Sequence, residues 1–168
     1  MKLKEVEEFI FEKPEKWFHI REISRKLKMS PNSVRVSAQK LVKDKIAEKR
    51  KLGNLLQVRA NLDGENYKVE KRIYNFESMY RSGLADFLHD YYSRSAVILF
   101  GSYSRGEDTS FSDIDIAIIT SEKKRPDLNA FEKRLARKIN LSVFKRNEVS
   151  DEFFTGVING IVLRGFLK

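Results

Sequence analysis

The sequence contains no cysteine among its 168 residues, which excludes disulfide bridges and thiolate metal sites and favours a reducing compartment. No apolar run approaches the roughly 18 residues of a membrane span, and the acid-containing start lacks the pattern of a signal peptide. We therefore expect a cytoplasmic protein without a membrane partner. A hydrophobic content of 41% is enough for a packed core, so we expect a folded chain and not a globally disordered one.

The excess positive charge is concentrated in the first third of the chain. The formal net charge of the whole sequence is +9. Residues 1–60 carry 16 Lys and Arg against 8 Asp and Glu, whereas residues 61–168 carry 17 against 16. A basic segment beside a nearly neutral one predicts a polyanionic partner for the basic segment.

Two strongly apolar runs, Val97–Phe100 and Ile114–Ile119, have the composition of buried strands. Asp113 and Asp115 accompany the second run. Because side chains alternate along a strand, we expect both carboxylates on one face of the sheet. Such a pair is unfavourable unless something neutralises it, and hard oxygen ligands select Mg²⁺ or a similar ion such as Mn²⁺. Asp-x-Asp alone also occurs in loops that bind no metal, so the residues around it matter.

Those residues form an ordered motif. It reads Phe100-Gly101-Ser102, then Arg105-Gly106, then Ser112-Asp113-Ile114-Asp115-Ile116. This order resembles the pattern of the minimal nucleotidyltransferase family within the DNA polymerase beta superfamily. The resemblance covers about half the chain, from Leu84 to the C-terminus. It implies a small mixed sheet with packed helices, and Mg²⁺-dependent transfer of a nucleoside monophosphate from a nucleoside triphosphate, with ATP the expected one, to an acceptor.

The resemblance also assigns roles to individual residues. The residues implied to bind the nucleotide are Gly101, Ser102, Arg105 and Ser112, and those implied to bind metal and to act in catalysis are Asp113 and Asp115. Gly101 lets the backbone approach the triphosphate, and Ser102 begins a short helix whose N–H groups and hydroxyl hold phosphates. The Arg105 side chain either adds charge at the phosphates or faces solvent.

A third carboxylate, which the family places on the next strand, is missing from the expected position. That strand reads Lys138-Ile139-Asn140-Leu141-Ser142-Val143, and the position falls on Asn140. An asparagine offers a metal one neutral carbonyl oxygen and is a poor base. We expect the nucleotide-bound Mg²⁺ to survive this change and the catalytic Mg²⁺ to be affected. The alternative is that Asp127 or Glu132, on the preceding helix pattern, supplies the carboxylate.

Residues 1–62 resemble a winged helix-turn-helix domain, as in many bacterial and archaeal transcription regulators. Helical patterns cover Lys2–Glu12, Ile20–Leu27 and Pro31–Lys43, where Ser30 and Pro31 form a strong helix start. Two short strands joined by Leu52-Gly53-Asn54 then predict a basic hairpin. The resemblance depends on the order and spacing of elements, because no signature peptide is present.

We expect this domain to bind a nucleic acid, and duplex DNA is the favoured partner. The third helix exposes groups that can read base edges, and the basic residues expected at the hairpin tip suit phosphate or minor-groove contacts. The predicted DNA-binding residues are Asn32, Ser33, Arg35, Gln39, Lys40, Lys49, Arg50 and Lys51. A structured RNA and a protein-binding module remain as alternatives.

The remaining elements complete an α+β chain. A linking helix is predicted over residues 63–83, where it either connects domains or pairs with its copy in a homodimer. Residues 84–168 hold the nucleotidyltransferase-like domain. After the motif we expect a helix opening at Pro126, a strand over Ile139–Phe144 and a final helix over Asp151–Ile158, followed by an apolar tail.

Three functional hypotheses follow. In the first, the protein transfers nucleotides to a small molecule, an RNA or a protein side chain, and its DNA-binding domain targets it. In the second, it is a nucleotide-sensing transcription regulator whose transferase domain is catalytically weakened. In the third, it is an antitoxin of a toxin–antitoxin pair, which the long basic N-terminal domain makes the least favoured of the three.

Overall fold

The computed structural model describes residues 2–167, and the chain folds as two compact units that divide between Lys71 and Arg72. Both units mix helices and strands, which confirms the α+β class. Within residues 2–167, no helix combines the length and the apolarity needed to cross a bilayer.

The first unit packs helices against a small antiparallel sheet of strand order β1-β3-β2. Its elements are α1 (Lys2–Glu12), β1 (Phe18–His19), α2 (Ile20–Leu27), α3 (Pro31–Lys43), β2 (Ala47–Leu52) and β3 (Leu55–Ala60). The three predicted helix ranges are confirmed. The Ser30 hydroxyl accepts a hydrogen bond from the Ser33 N–H, so the expected cap at the start of α3 is formed. The core contains Val6, Ile10, Ile23, Val34, Leu41 and Val58.

The prediction for the hairpin tip was wrong in one respect. Lys49, Arg50 and Lys51 lie within β2, and the turn consists of Gly53 and Asn54. Gly53 has a φ of +58°, a left-handed conformation that glycine adopts without a steric penalty. The turn is therefore at Gly53, which tolerates the left-handed conformation, and the basic residues lie on the strand that precedes the turn.

The second unit is built on a mixed sheet of strand order β6-β5-β4-β7, in which β5 and β6 are parallel and the other pairs antiparallel. Its elements are α5 (Leu84–Tyr91), β4 (Val97–Phe100), α6 (Gly101–Arg105), β5 (Ile114–Ile119), α7 (Asn129–Leu135), β6 (Ile139–Phe144), a 3₁₀ turn (Arg146–Glu148), α8 (Asp151–Ile158) and β7 (Ile161–Arg164). Helix α4 (Glu65–Ser82) spans the division between the units.

The central strands β4 and β5 form the core of the second unit. Leu99, Ile114, Ile116 and Ile118 are fully buried, together with Leu84 and Leu88 of α5. This burial explains the continuous apolar composition of both strands, because helices and loops cover both faces of the sheet.

Three expectations for the second unit need correction. Helix α7 begins at Asn129 and not at Pro126, so residues 120–128 form a connection that contains neither helix nor strand. The apolar tail is a fourth strand, β7, which pairs with β4. Asp113 precedes the first residue of β5, so only Asp115 lies within the strand.

Candidate functional site

Gly101 and Asp115 are in close contact where β4 passes into α6. Gly101 has a φ of +71°, and a Cβ atom built on it would lie 2.3 Å from Oδ2 of Asp115. The carboxylate therefore occupies the space that any larger residue at position 101 would fill. In the antiparallel pair β4–β5, Asp115 is also the register partner of Phe100, which brings the start of α6 beside it.

Asn140 approaches the same carboxylate from the other side. Asp115 and Asn140 are register partners in the parallel pair β5–β6, and Nδ2 of Asn140 donates to Oδ1 of Asp115 at 3.0 Å. The N–H of Ile114 donates to the Lys138 carbonyl at 2.8 Å and fixes this register. Asn140 thus lies on the next strand, directly opposite the second carboxylate of the motif.

Ser112 and Asp113 follow a hydrogen-bonded turn. The Ser112 N–H donates to the Thr109 carbonyl at 3.2 Å, and the Ser112 hydroxyl accepts from the Thr109 N–H at 3.0 Å. Asp113 comes directly after this turn and is exposed. The contacts of the Ser112 hydroxyl therefore shape the loop, which leaves the Asp113 carboxylate open to solvent.

Arg105 and Ser102 have different surroundings on α6. Arg105 is exposed, and its Nε donates to Oε2 of Glu107 at 2.7 Å. Ser102 is half-buried in the first turn of the helix, and its carbonyl accepts the Glu107 N–H at 3.0 Å. Arg105 was expected either to add charge at the phosphates or to face solvent. Its exposure and its ion pair with Glu107 match the second alternative.

A buried polar cluster, which the sequence did not reveal, supports the loop before Asp113. The Asp108 carboxylate is fully buried; it accepts from Nδ2 of Asn75 at 2.6 Å and lies 3.5 Å from Nη2 of Arg137. Arg137 also donates to the Thr109 carbonyl, and Asn75 donates to the Tyr103 carbonyl at 2.8 Å. Burial raises the pKa of the Tyr103 hydroxyl far above its ordinary value, and the nearby Asp108 adds to the shift. The cluster joins α4, α6, the Asp113 loop and the start of β6.

Asp127 and Glu132, the alternative sources of a third carboxylate, are engaged elsewhere. Oδ1 of Asp127 accepts the Asn129 N–H at 2.9 Å, and Oε1 of Glu132 accepts the Ile139 N–H at 2.9 Å. Among residues 2–167, no group of three or more His, Asp or Glu side chains is placed to hold a metal ion. The donor set at this site is therefore Asp113 and Asp115, with Asn140 beside them.

In the first unit, the α3 residues predicted to bind DNA lie on its outer surface. Asn32, Arg35, Gln39 and Lys40 are exposed, whereas Ser33 is half-buried. The hydroxyl of Ser33 lies 2.8 Å from the Ser30 hydroxyl, so it takes part in the helix cap. Four of the five residues are thus available to a partner.

The three basic residues of β2 differ in their surroundings. The Arg50 guanidinium stacks on Trp17, 4.2 Å from the ring centroid, and its Nε donates to Oε1 of Gln57 at 2.8 Å. Lys49 and Lys51 are exposed and alternate with Arg50 along the strand. Arg50 is thus held in place by neighbouring side chains.

Comparison with known proteins gives a family match that lies within the second unit. The family model described as "Nucleotidyltransferase domain" matches residues 81–157, a range that contains Gly101, the Asp113–Asp115 pair and Asn140. A protein of Methanocaldococcus jannaschii, named as a protein adenylyltransferase, is 39% identical over 61 residues. That alignment covers 32% of this chain and 61% of the relative, so the chain spans less than two thirds of the relative's length. The resemblance to nucleotidyltransferases is confirmed for residues 81–157.

Proposed function

We propose that the second unit binds a nucleoside triphosphate, with ATP the favoured one, together with Mg²⁺ or Mn²⁺ at Gly101, Asp113 and Asp115. The observation that carries the proposal is the position of the Asp115 carboxylate, enclosed between Gly101 and Asn140 at the junction of three strands. The family-model match over this region supports the same ligand class.

The donor chemistry of the site fits a divalent cation. Asp113 and Asp115 supply hard anionic oxygens, and the triphosphate has the oxygens that would complete the coordination of Mg²⁺. When bound, the cation would neutralise phosphate charge during transfer. On the protein's side, the missing Cβ of Gly101 lets the Asp115 carboxylate lie against the start of α6, where Ser102 presents its N–H and hydroxyl.

The reaction we propose is transfer of a nucleoside monophosphate to a hydroxyl group of a protein. The acceptor oxygen forms a bond to the α-phosphorus, pyrophosphate leaves, and the hydroxyl proton passes to solvent. The acceptor class comes from the name of the Methanocaldococcus relative. With Asn140 in place of a carboxylate, the described part of the site offers no third carboxylate to take that proton, so we expect transfer to be slow.

Release of pyrophosphate from ATP by the purified protein tests this activity. A signal that requires Mg²⁺, together with nucleotide label on a protein acceptor, is the expected result. Binding without pyrophosphate release would instead favour a nucleotide sensor. Dependence of DNA affinity on ATP would then identify a regulator, and co-purification with a small helical partner would identify the antitoxin alternative.

We further propose that the first unit binds duplex DNA in the cytoplasm as a winged helix-turn-helix domain. The observation that favours this is the exposed polar surface of α3. The sequence of this helix contains no Asp or Glu that would repel a phosphate. Arg35, Gln39 and Lys40 are placed to contact bases and phosphates, and Lys49 and Lys51 to contact phosphates. Anisotropy measurements with labelled duplex DNA and RNA at several salt concentrations test the preference and count the phosphate contacts from the salt slope.

Arg50 and Lys51 make a matched pair of variants for that experiment. Because Arg50 is held by Trp17 and Gln57, we expect Arg50→Ala to lower the stability of the first unit as well as its DNA affinity. Lys51→Ala is expected to lower only the affinity and to reduce the salt slope by about one. Unchanged affinity in both variants would exclude the β2 surface as a nucleic-acid contact.

A homodimer through α4 is the remaining part of the proposal. Val69, Ile73 and Phe76 are exposed by 56%, 55% and 38% and follow the 3–4 spacing of a coiled-coil seam. In a parallel pair of helices, Arg72 of one copy and Glu77 of the other would occupy facing flank positions of opposite charge. Sedimentation equilibrium tests this, with Ile73→Glu expected to convert the dimer to a monomer.

A further inference from the structure

Phe111 is exposed to a degree that its position in the chain makes unusual. Its side chain is 88% exposed, the highest value among the large apolar side chains of residues 2–167. It stands two positions before Asp113, so its Cα lies within roughly 7 Å of the Asp113 Cα. An aromatic ring is thus held in water beside the proposed triphosphate site.

The backbone that carries Phe111 is fixed by hydrogen bonds. Phe111 is the third residue of the turn Thr109–Ser112, which the Ser112 N–H closes onto the Thr109 carbonyl at 3.2 Å. The Thr109 N–H donates to the Ser112 hydroxyl at 3.0 Å, and Arg137 donates to the same Thr109 carbonyl. The ring therefore projects from an anchored turn, which keeps it beside the site.

A flat apolar surface next to a phosphate site is suited to a nucleobase. Stacking a base on an aromatic side chain removes two apolar faces from water and requires no hydrogen-bonding partner. A triphosphate held near Asp113 and Ser102 brings its sugar and base to the same part of the surface as Phe111, which is two residues from Asp113.

We propose that Phe111 is the base-stacking residue of the nucleotide site, an inference that rests on the proposed triphosphate binding. Because a phenyl ring makes no base-specific hydrogen bonds, it accepts adenine and guanine alike. It favours purines over pyrimidines, since the larger base covers more of the ring. Selection of the nucleotide is therefore by base size.

Titration calorimetry with two ligands separates this inference from the function on which it rests. Inorganic tripolyphosphate with Mg²⁺ reports the phosphate and metal contacts alone, whereas ATP with Mg²⁺ adds the base. Phe111→Ala is expected to weaken ATP binding by on the order of tenfold and to leave tripolyphosphate binding unchanged. Phe111→Tyr is expected to retain the affinity of the native protein for ATP.

Phe166→Ala is the matched control, because Phe166 is 71% exposed and lies near the C-terminal end of the same unit. It should leave the binding of both ligands unchanged. A second readout is Phe111→Trp, whose added fluorescence should be quenched by ATP and not by tripolyphosphate.

Two results would overturn the inference. If Phe111→Ala binds ATP as tightly as the native protein does, the base does not stack on Phe111, whatever happens to nucleotide transfer. If the variant loses ATP and tripolyphosphate equally, Phe111 supports only the loop. Failure of the native protein to bind either ligand would instead overturn the proposed function together with the inference.

Discussion

Nδ2 of Asn140 donates a hydrogen bond to Oδ1 of Asp115 across two parallel strands, at the position where a third carboxylate would face the motif. The bond gives Asp115 a neutral partner in place of a second negative charge. The Asp115 carboxylate can therefore keep its position when no cation is bound, because it does not face a second negative charge that would repel it. The same exchange removes a group that could accept the acceptor's proton.

Asn140→Asp should therefore lower the stability of the protein in the absence of metal and raise its rate of nucleotide transfer in the presence of Mg²⁺. Without metal, the lost hydrogen bond and the facing charges should lower the free energy of unfolding by about 1–2 kcal/mol. With Mg²⁺, we expect the loss to be reversed and pyrophosphate release to rise at least about tenfold, because a carboxylate can act as a base. Thermal unfolding with and without MgCl₂ measures the first effect. Asn147→Asp is the control, because it adds the same charge at an exposed position, and it should show neither effect. If Asn140→Asp changes stability and pyrophosphate release no more than Asn147→Asp does, the account is contradicted.

Gly101→Ala should weaken nucleotide binding through a clash with Asp115. The new Cβ would lie 2.3 Å from Oδ2, so the carboxylate must move. Gly83→Ala is the control, because Gly83 has a similar φ of +77° and a Cβ added there would meet no atom within 4 Å. Both variants should lose about 1–2 kcal/mol of stability from the left-handed backbone. Only Gly101→Ala should lose affinity for ATP, by at least about tenfold, and equal affinities in calorimetry would refute the clash.

Arg137→Met should be strongly destabilising, because it removes the Arg137 guanidinium from its ion pair with the buried Asp108 carboxylate. Removal of one partner of a buried ion pair typically lowers the free energy of unfolding by about 3–5 kcal/mol. Arg81→Met breaks an exposed pair with Glu77 and should lower it by less than about 1 kcal/mol. Urea denaturation measures both changes. Adding Asp108→Asn to Arg137→Met should recover part of the loss, and a further loss would show that the charge is not the cause.

Stability of the first unit should depend on the titration of Glu7. Burial raises the pKa of its carboxyl from the ordinary 4.5 to about 6, and the nearby Glu70 and Glu8 add to the shift. The folded state thus binds this proton more tightly than the unfolded state does. The stabilising effect is complete below pH 4.5 and is lost as the pH rises through 6.

Glu7→Gln should consequently stabilise the protein at pH 8 by about 1 kcal/mol, a value reduced for the half-exposed position. At pH 4 the variant and the native protein should have nearly the same free energy of unfolding. Glu12→Gln, at an exposed position on the same helix, should show little difference at either pH. A gain from Glu7→Gln that is equal at pH 4 and pH 8 would exclude titration as its cause.

Local patterns were sufficient to predict most elements. The helical spacing in Lys2–Glu12 and Pro31–Lys43 gave both bounds, and the apolar runs of β4 and β5 gave both central strands. The facing positions of Asp115 and Asn140 were implied by the resemblance to nucleotidyltransferases, which places the third residue of the site on the next strand, and the two residues are register partners.

Features that depend on distant pairing were missed. Ile161–Arg164 is too short to show strand periodicity, and it becomes β7 because β4 offers a free edge. Asp108 resembles an ordinary polar loop residue in the sequence. Its burial results from Asn75 and Arg137, which lie 33 and 29 positions away. Phe111 has no distinguishing local pattern either, because only the fold shows how far its ring is exposed.

The central claim is that ATP binds together with Mg²⁺ at Asp115. Calorimetric titration with ATP tests it most directly, and the native protein and Asp115→Asn are each measured in MgCl₂ and in EDTA. The account predicts binding by the native protein that requires Mg²⁺, an affinity at least about tenfold weaker for Asp115→Asn, and no change for Asp90→Asn, an exposed carboxylate of the same unit. Binding of equal strength in EDTA, or an Asp115→Asn variant that binds ATP as the native protein does, would contradict it.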